Sequence, residues 1–152
     1  MIEGKTSARV TVMEVSPRDG LQNEDLVFSP DQKLKLIKAA ISAGLERIEV
    51  VSFVNPKKVP QMANAETVCA GLTDIHEAKL TGLVLNERGY QRLRDTCLHE
   101  AGIVIASTDT FGIRNQGMDL MRGLDFAKSV LKDGQQTRFP VQVTLAVAFG
   151  CP

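Results

Sequence analysis

The sequence has no tryptophan, one tyrosine, two histidines and three cysteines in 152 residues. The three cysteines are widely spaced and form no C-x-x-C pair, which argues against a disulfide framework or a zinc site and favours a reducing cytoplasm. Lysine plus arginine and aspartate plus glutamate are both 18, so no charge excess indicates nucleic acid or an anionic membrane as a partner. No apolar run could span a bilayer, and the first ten residues resemble neither a secretory signal nor a transit peptide.

What the sequence does contain is an alternation of short β-branched runs with amphipathic helical stretches. The clearest helix start is a capping box, with Ser29 as the N-cap, Pro30 at the first helical position and Gln32 three residues after the cap. Gly44 supplies the left-handed residue that ends this helix. Further helices are predicted over about 61–70, 87–97 and 118–132, the last closed by Asp133-Gly134. Five strands are predicted, over 9–15, 47–51, 79–85, 102–107 and 141–147.

Strands that alternate with helices pair in parallel, so the predicted fold class is α/β. Both an open doubly wound sheet and part of a closed (β/α)8 TIM barrel fit this alternation. No glycine-rich phosphate loop follows the first strand, as an open nucleotide-binding sheet would require. A charged Arg-Asp pair stands there instead, where a barrel carries catalytic groups. Because a full barrel needs about 250 residues, we expect residues 1–152 to form one incomplete TIM-barrel domain with about five strands and four helices.

The segment Pro17-Arg18-Asp19-Gly20 carries the first candidate site. A carboxylate at the carboxyl end of a buried strand is a hard oxygen ligand suited to Mg²⁺ or Mn²⁺. The adjacent Arg18 guanidinium can hold an oxyanion or a carboxylate through paired donors. Together the two charges could polarise a carbonyl group and stabilise an enolate. The alternative is a surface turn in which Asp19-Gly20 only reverses the chain.

Glu49 lies inside the second predicted strand, between Ile48 and Val50. Parallel barrel strands are buried on both faces, so a carboxylate there needs a partner, and Arg18 is the candidate. The alternative is a glutamate near the strand end that faces solvent. The loops at 52–58 and 107–116 could contact an anionic group or a substrate, although solvated loops are polar as well. His76, His99 and Cys151 belong to no recognisable ligand or nucleophile motif, and we interpret them as surface or packing residues.

These residues together resemble the 3-hydroxy-3-methylglutaryl-CoA lyase family, over essentially the whole chain. The family pattern E-V-G-P-R-D-G-L-Q-N-E is matched by EVSPRDGLQNE at 14–24. Glu49, Ser52-Phe53-Val54 and Val59-Pro60-Gln61-Met62 resemble its second strand and the loop that follows, and AFGCP at 148–152 fits as well. The related condensing enzymes, such as isopropylmalate synthase, usually have a D-T-T-L-type lead before the Arg-Asp pair.

The resemblance implies a TIM barrel that binds an acyl-CoA. With a divalent cation, Mg²⁺ or Mn²⁺, it would cleave (S)-3-hydroxy-3-methylglutaryl-CoA to acetoacetate and acetyl-CoA, a reaction of leucine degradation. It assigns Asp19 to the metal, Arg18 to stabilising the enolate and Glu49 to supporting that site. We expect substrate contacts from Arg18, Gln22 and Ser52. The family's other metal ligands (a His-X-His pair and an asparagine) and its proton-transferring cysteine are not encoded here, and Cys151 matches a different cysteine.

Three residues depart from the family pattern: Ser16 and Asn55 replace a glycine and a serine, and Gln142 replaces an arginine on strand five. The last change leaves the acyl group open, so three hypotheses stand. The chain is part of a lyase of this kind, a non-catalytic truncated remnant, or part of an enzyme that performs the reverse condensation or acts on another 3-hydroxyacyl-CoA. We expect the 152-residue chain alone to lack lyase activity and to self-associate, as a homodimer, through exposed sheet edges.

Overall fold

The structure is a computed structural model, and it describes residues 10–151. Its helices are α1 (Pro30–Ser42), α2 (Ala65–Ala70), α3 (Glu87–Arg94), α4 (Asp109–Gln116) and α5 (Leu120–Thr137). Its strands are β1 (Arg47–Ser52), β2 (Lys79–Val84), β3 (Glu100–Ala106) and β4 (Val141–Ala146). A π-helical turn covers Ser16–Gly20, and a 3-10 turn covers Pro60–Met62.

The four strands form one parallel sheet in the order β1-β2-β3-β4, so each strand lies beside the next one along the chain. This order is typical of a barrel wall, in which each β-α unit places its strand next to the preceding one. The α/β class and the parallel pairing are therefore as predicted. No helix among residues 10–151 is long and apolar enough to cross a membrane.

The two faces of the sheet differ in polarity. On the helix-covered face, a Cβ added at Gly82 would touch Phe53, Leu93 and Leu98, so β2 and its neighbours pack tightly under α3. On the other face, the buried residues include charged and hydroxyl side chains: Glu49, Ser52, Thr81 and Glu100. Since apolar burial drives the helix-sheet packing, this polar inner face is where chemistry can be placed.

Most elements lie where the sequence predicts them. The capping box is present, because Ser29 Oγ accepts from the Gln32 amide while Gln32 Oε1 accepts from the Ser29 amide. Gly44 follows the end of α1 with φ +90°, as the predicted helix stop requires.

Four predictions about elements are wrong. Within residues 10–15 the predicted first strand is reduced to one bridge, between Glu14 and Ile48, and residue 9 lies outside the described residues. The helix predicted over 61–70 is a 3-10 turn followed by the short α2. The polar loop predicted around 107–116 contains α4, whose N-cap Thr108 accepts from the Phe111 amide. Finally, α5 does not stop at Gly134 and runs on to Thr137.

The β4 strand is exposed along much of its length. Val143 and Leu145 retain 39% and 60% of their accessible surface, and among the described residues no strand pairs with the far side of β4. The predicted clean alternation of β4 is present in the sequence, but it buries neither face fully.

Candidate active site

The turn that carries Arg18 and Asp19 is fixed to the start of the sheet. Glu14 exchanges two backbone hydrogen bonds with β1, donating to the Arg47 carbonyl at 2.9 Å and accepting from the Glu49 amide at 2.8 Å. The Glu14 carboxylate also accepts from the Ser16 amide at 2.7 Å, and this backbone hydrogen bond lowers the pKa of Glu14. Pro17 is buried, and its fixed φ suits the first turn of a helix. The chain therefore leaves the bridge directly into the π-helical turn.

Arg18 is held between two carboxylates. Its Nε donates to Glu49 Oε1 at 2.5 Å, and its Nη1 donates to Asp19 Oδ1 at 2.7 Å. The Arg18 side chain is 16% exposed and that of Glu49 is 9% exposed, whereas that of Asp19 is 54% exposed. The predicted contact between Arg18 and Glu49 is therefore present, although Arg18 lies in a turn and not on a neighbouring strand. Asp19 remains open to solvent.

The environment of Glu49 opposes its charge. Burial raises the pKa of Glu49, and the Arg18 guanidinium acts in the opposite direction without cancelling that effect. Gly102 on β3 leaves room for this carboxylate, since a Cβ added there would lie 3.4 Å from Glu49 Oε2. A bare glycine and a buried carboxylate thus fit together across the inner face of the sheet.

A β-bulge places Ser52 on the same face as Glu49. Glu49 pairs with Thr81, but Val51 pairs with Gly82 and Ser52 with Leu83, so the register shifts between Glu49 and Val51. An extra residue in one strand inverts the side-chain alternation beyond it. Ser52 therefore points inward although it lies three residues from Glu49.

Both remaining predicted substrate residues have an unsatisfied oxygen. Ser52 Oγ and Gln22 Oε1 are buried and have no hydrogen-bond partner among the described residues. An orphaned buried polar atom is costly unless something hydrogen-bonds to it. The structure thus leaves two hydrogen-bonding positions open in the residues that the sequence assigns to substrate.

Asp19 is the one residue assigned to a metal, and its donor chemistry fits. An exposed carboxylate in the turn that follows the Glu14 bridge is a hard oxygen ligand of the kind Mg²⁺ and Mn²⁺ take. Within residues 10–151, however, no three His, Cys, Asp or Glu side chains converge to hold a metal ion. Asp19 is therefore one ligand of a set that these residues do not complete.

A second charged cluster on the inner face was not predicted. Glu100, 5% exposed, accepts from Arg47 at 2.5 Å, from Lys79 at 3.0 Å and from Thr81 Oγ1 at 2.9 Å. Burial alone would raise the pKa of Glu100, but its bonds to Lys79, Arg47 and Thr81 together lower it. The signal was a charged residue directly before an apolar run, and it was missed because the strand was predicted to begin two residues later.

Other residues considered from the sequence have structural roles. Asp109 accepts from the Leu120 amide at 2.8 Å and so joins α4 to α5, and Thr108 caps α4. His99 Nδ1 accepts from the Leu80 amide at 3.0 Å, which agrees with its interpretation as a packing residue. Lys57 is exposed, and Cys151 Sγ lies 3.3 Å from Thr108 Oγ1.

Known proteins are similar to this chain over nearly its whole length. Over 94% of its own length, the chain is 35% identical to the (R)-citramalyl-CoA lyase of Chloroflexus aurantiacus. Over 95% of its own length, it is 32% identical to a hydroxymethylglutaryl-CoA lyase of Bacillus subtilis. An HMG-CoA lyase structure from Acinetobacter baumannii, in complex with coenzyme A and 3-methylmalate, matches 93% of the chain with 32% identity and a TM-score of 0.87.

These matches cover part of each relative. The chain spans about half the length of the curated relatives it matches, 48% of both named above, and 46% of the solved chain. The predicted architecture, an incomplete (β/α)8 barrel, is therefore confirmed. The HMGL-like family model matches residues 9–152. The chain belongs to the HMGL-like family of carbon-carbon lyases.

Proposed function

We propose that the chain forms part of a divalent-metal-dependent lyase that cleaves 3-hydroxy-3-methylglutaryl-CoA to acetoacetate and acetyl-CoA. The observation that carries this proposal is the placement of Arg18, whose guanidinium is fixed between buried Glu49 and exposed Asp19. A cation and a metal-ligating carboxylate held side by side suit a reaction in which negative charge develops on two oxygens.

The reaction breaks the bond between the carbon that bears the hydroxyl and the carbon next to the thioester. The hydroxyl loses its proton, its carbon becomes a ketone, and the electron pair of the broken bond passes into the thioester as an enolate, which a proton converts to acetyl-CoA. We assign Arg18 to the enolate oxygen. Its Nε and Nη1 are committed to carboxylates, and Nη2 forms no hydrogen bond within residues 10–151, so we assign that nitrogen to the charge that develops.

We assign Glu49 to positioning Arg18. Fixing a guanidinium on a flexible side chain in one orientation costs conformational entropy. The ion pair with buried Glu49 fixes Arg18 before substrate binds, so this entropy is not lost during the reaction. Gln22 and Ser52 are assigned to the substrate, because their unsatisfied buried oxygens gain a partner when a polar acyl group binds.

We assign Asp19 to the divalent cation, which when bound supplies Lewis-acid polarisation of the substrate oxygens. The sequence has no His-X-His pair, and residues 10–151 complete no metal site. We therefore propose that the other ligands come from outside these residues and that the 152-residue chain alone is inactive. The competing hypothesis is a non-catalytic protein in which Arg18, Asp19 and Glu49 only brace the turn.

A second substrate has specific support. The Chloroflexus relative is a lyase for (R)-citramalyl-CoA, and its identity to this chain slightly exceeds that of the Bacillus hydroxymethylglutaryl-CoA lyase. The two acyl groups differ by one methylene between the carbinol carbon and the free carboxylate. Gln142, which stands where the family pattern has an arginine, accepts a hydrogen bond from Arg47 at 3.4 Å and is the departure from that pattern that leaves the acyl group open.

Partners and compartment follow from the same proposal. We propose an acyl-CoA as the ligand, and a solved relative in complex with coenzyme A supports this. We propose self-association through the exposed β4 edge, supported by the uncovered Val143 and Leu145. The three cysteines, all free, support a reducing compartment such as the cytoplasm.

A chimaera tests the proposed reaction. Residues 10–152 would replace the matching half of the Bacillus hydroxymethylglutaryl-CoA lyase, and cleavage of both acyl-CoAs would be measured with and without Mn²⁺. We expect Mn²⁺-dependent cleavage, reduced by about 10²-fold or more in Arg18→Lys because Lys cannot reach both carboxylates and the oxyanion. Asp19→Asn should raise the Mn²⁺ concentration required.

The matched control is Asp125→Asn, which removes an exposed carboxylate from α5. It should leave the cleavage rate unchanged. A folded chimaera whose activity is equally insensitive to Arg18→Lys and Asp19→Asn would rule out the assigned roles. Metal-dependent cleavage by the purified 152-residue chain would contradict its proposed inactivity.

A further inference from the structure

The middle of the segment between Asp19 and α1, Asn23 to Val27, has little apolar burial to hold it in place. Asn23 to Val27 are all exposed, and Leu26 and Val27 retain 70% and 56% of their accessible surface. Hydrogen bonds must therefore fix its path. Within the segment, Asn23 Nδ2 donates to the Asp19 carbonyl at 2.7 Å. That bond ties the segment to itself but not to the rest of the protein.

Among the described residues, one side-chain hydrogen bond joins this segment to the rest of the fold. Gln61, in the 3-10 turn after β1, donates from Nε2 to the Glu24 carbonyl at 2.9 Å. The backbone carbonyl of the same Gln61 accepts a hydrogen bond from Lys33 Nζ of α1. Gln61 is thus held from one side by α1, and from the other side it holds the segment that follows Asp19.

Lys33 is an unusual residue for this place. It is 2% exposed, no carboxylate among the described residues pairs with it, and burial lowers the pKa of its ammonium group. A buried ammonium with one carbonyl partner loses more in desolvation than it gains, and an apolar side chain of similar length would pack there at least as well. A contribution to global stability therefore does not explain why a lysine occupies position 33, whereas the need to orient the Gln61 carbonyl does.

We propose that Lys33 and Gln61 are positioning residues that fix the segment carrying Asp19 beside Arg18. Lys33 sets the Gln61 backbone, the Gln61 amide sets Glu24, and the Asn23 bond passes that constraint to Asp19. This inference rests on the proposed function in one respect, the assignment of Asp19 to a divalent cation. The tether itself does not depend on that assignment.

Three single variants of the full chain test the proposal. Lys33→Met removes the ammonium and keeps the length of the stem, and Gln61→Glu removes the Nε2 donor at constant shape. Lys35→Met changes an exposed lysine of the same helix and serves as the control. The probes are the thermal midpoint, hydrogen exchange of the Asn23 and Glu24 amides, and the line broadening that free Mn²⁺ causes at the Gly20 amide in NMR spectra.

We expect Lys33→Met and Gln61→Glu to exchange the Asn23 and Glu24 amides at least about 10-fold faster while strand amides keep their protection. The thermal midpoint of Lys33→Met should be unchanged or higher. Mn²⁺ broadening at Gly20 should require several-fold more metal in both variants. Lys35→Met should match the parent chain in all three measurements.

The outcomes separate the positioning role of Lys33 and Gln61 from the assignment of Asp19 to a divalent cation. Unchanged exchange at Asn23 and Glu24 in both variants overturns the positioning role, as does a loss of thermal stability with equally faster exchange in the strands. Faster local exchange with no Mn²⁺ effect at Gly20 in the parent chain leaves the tether standing and shows that Asp19 does not hold the cation without the ligands that lie outside these residues. Faster local exchange with unaltered Mn²⁺ broadening shows that the tether does not position Asp19, and overturns the proposal.

Discussion

Glu100 is the most heavily paired buried charge of the inner face, and replacing it with glutamine gives a sharp test of how that face is held. Glu100 accepts from Arg47, Lys79 and Thr81, and its side chain is 6% exposed. Glu100→Gln keeps the shape and one carbonyl oxygen but removes the charge. Two cations then face each other on neighbouring strands with no carboxylate between them.

The expected loss of stability follows from this geometry. Removing one partner of a buried ion pair costs about 3–5 kcal/mol, mainly because the other charge stays buried and unpaired. Here Arg47 and Lys79 are 28% and 38% exposed, so water relieves part of that penalty. We therefore expect about 2–3 kcal/mol, which for a chain of this length lowers the thermal midpoint by about 5–10 °C.

The dependence on pH distinguishes an electrostatic loss from a packing defect. Because the pKa of Glu100 lies below its ordinary value of 4.5, the unfolded chain takes up the proton first as the pH falls. The stabilisation is fully present above about pH 4.5 and is lost as the pH falls through the lower, folded-state pKa. The stability gap between parent and Glu100→Gln should thus be large at pH 7 and shrink towards pH 3.

The assay is urea or thermal unfolding of parent, Glu100→Gln and Glu46→Gln across this pH range. Glu46 is exposed, so its variant should track the parent at every pH. A gap that is equally large at pH 7 and pH 3 would refute the ion-pair explanation. So would a Glu100→Gln midpoint within about 1 °C of the parent at pH 7.

Two further predictions concern α5 and the sheet edge. Gly123→Ala should stabilise by about 0.5–1 kcal/mol, because its new Cβ meets nothing closer than 3.6 Å, whereas Gly134→Ala should destabilise by about 1–3 kcal/mol, because its Cβ would lie 2.8 Å from the Phe139 carbonyl oxygen. Thermal unfolding measures both, and the same sign for the two would contradict the packing argument. Leu145→Lys on the exposed edge should shift sedimentation towards monomer without lowering the thermal midpoint, and an unchanged distribution would place self-association elsewhere.

The alternation of strands and helices was predictable because each element carries its own local signal. The capping box at Ser29 satisfies backbone groups within three residues, and the β-branched runs of β1 to β4 pair with the next strand along the chain. The predictions of elements failed where the deciding contacts are with residues that are distant in sequence. Val10 and Val12 alternate like a strand, yet they are exposed and only Glu14 reaches β1.

Gly134 shows why local reading of glycine can mislead. After a charged residue near the end of an amphipathic stretch, it resembled a helix stop. In the structure it lies inside α5, which ends at Thr137 and is capped by Arg138, a non-glycine residue with φ +58°. Gly134 is needed for close approach, since a side chain there would collide with Phe139 and Val141 on the chain returning to the sheet. A sequence cannot state which neighbour a missing side chain makes room for.

The residues of the candidate site also divide into those that could be predicted from the sequence and those that could not. The Arg18 and Glu49 contact could be predicted, because a carboxylate in a buried strand needs a cation and Arg18 follows the run that was predicted to lie beside that strand. The bulge that turns Ser52 inward depends on the register of β1 against β2, and the tether through Lys33 depends on how α1 packs beside the 3-10 turn. Arg18, Asp19 and Glu49 could thus be recognised by residue type and position, whereas the positioning role of Lys33 and Gln61 depends on contacts between distant segments. Loss of Arg18 or Asp19 should abolish turnover while the segment that follows Asp19 stays ordered. Loss of Lys33 or Gln61 should instead disorder that segment while every chemical group remains present.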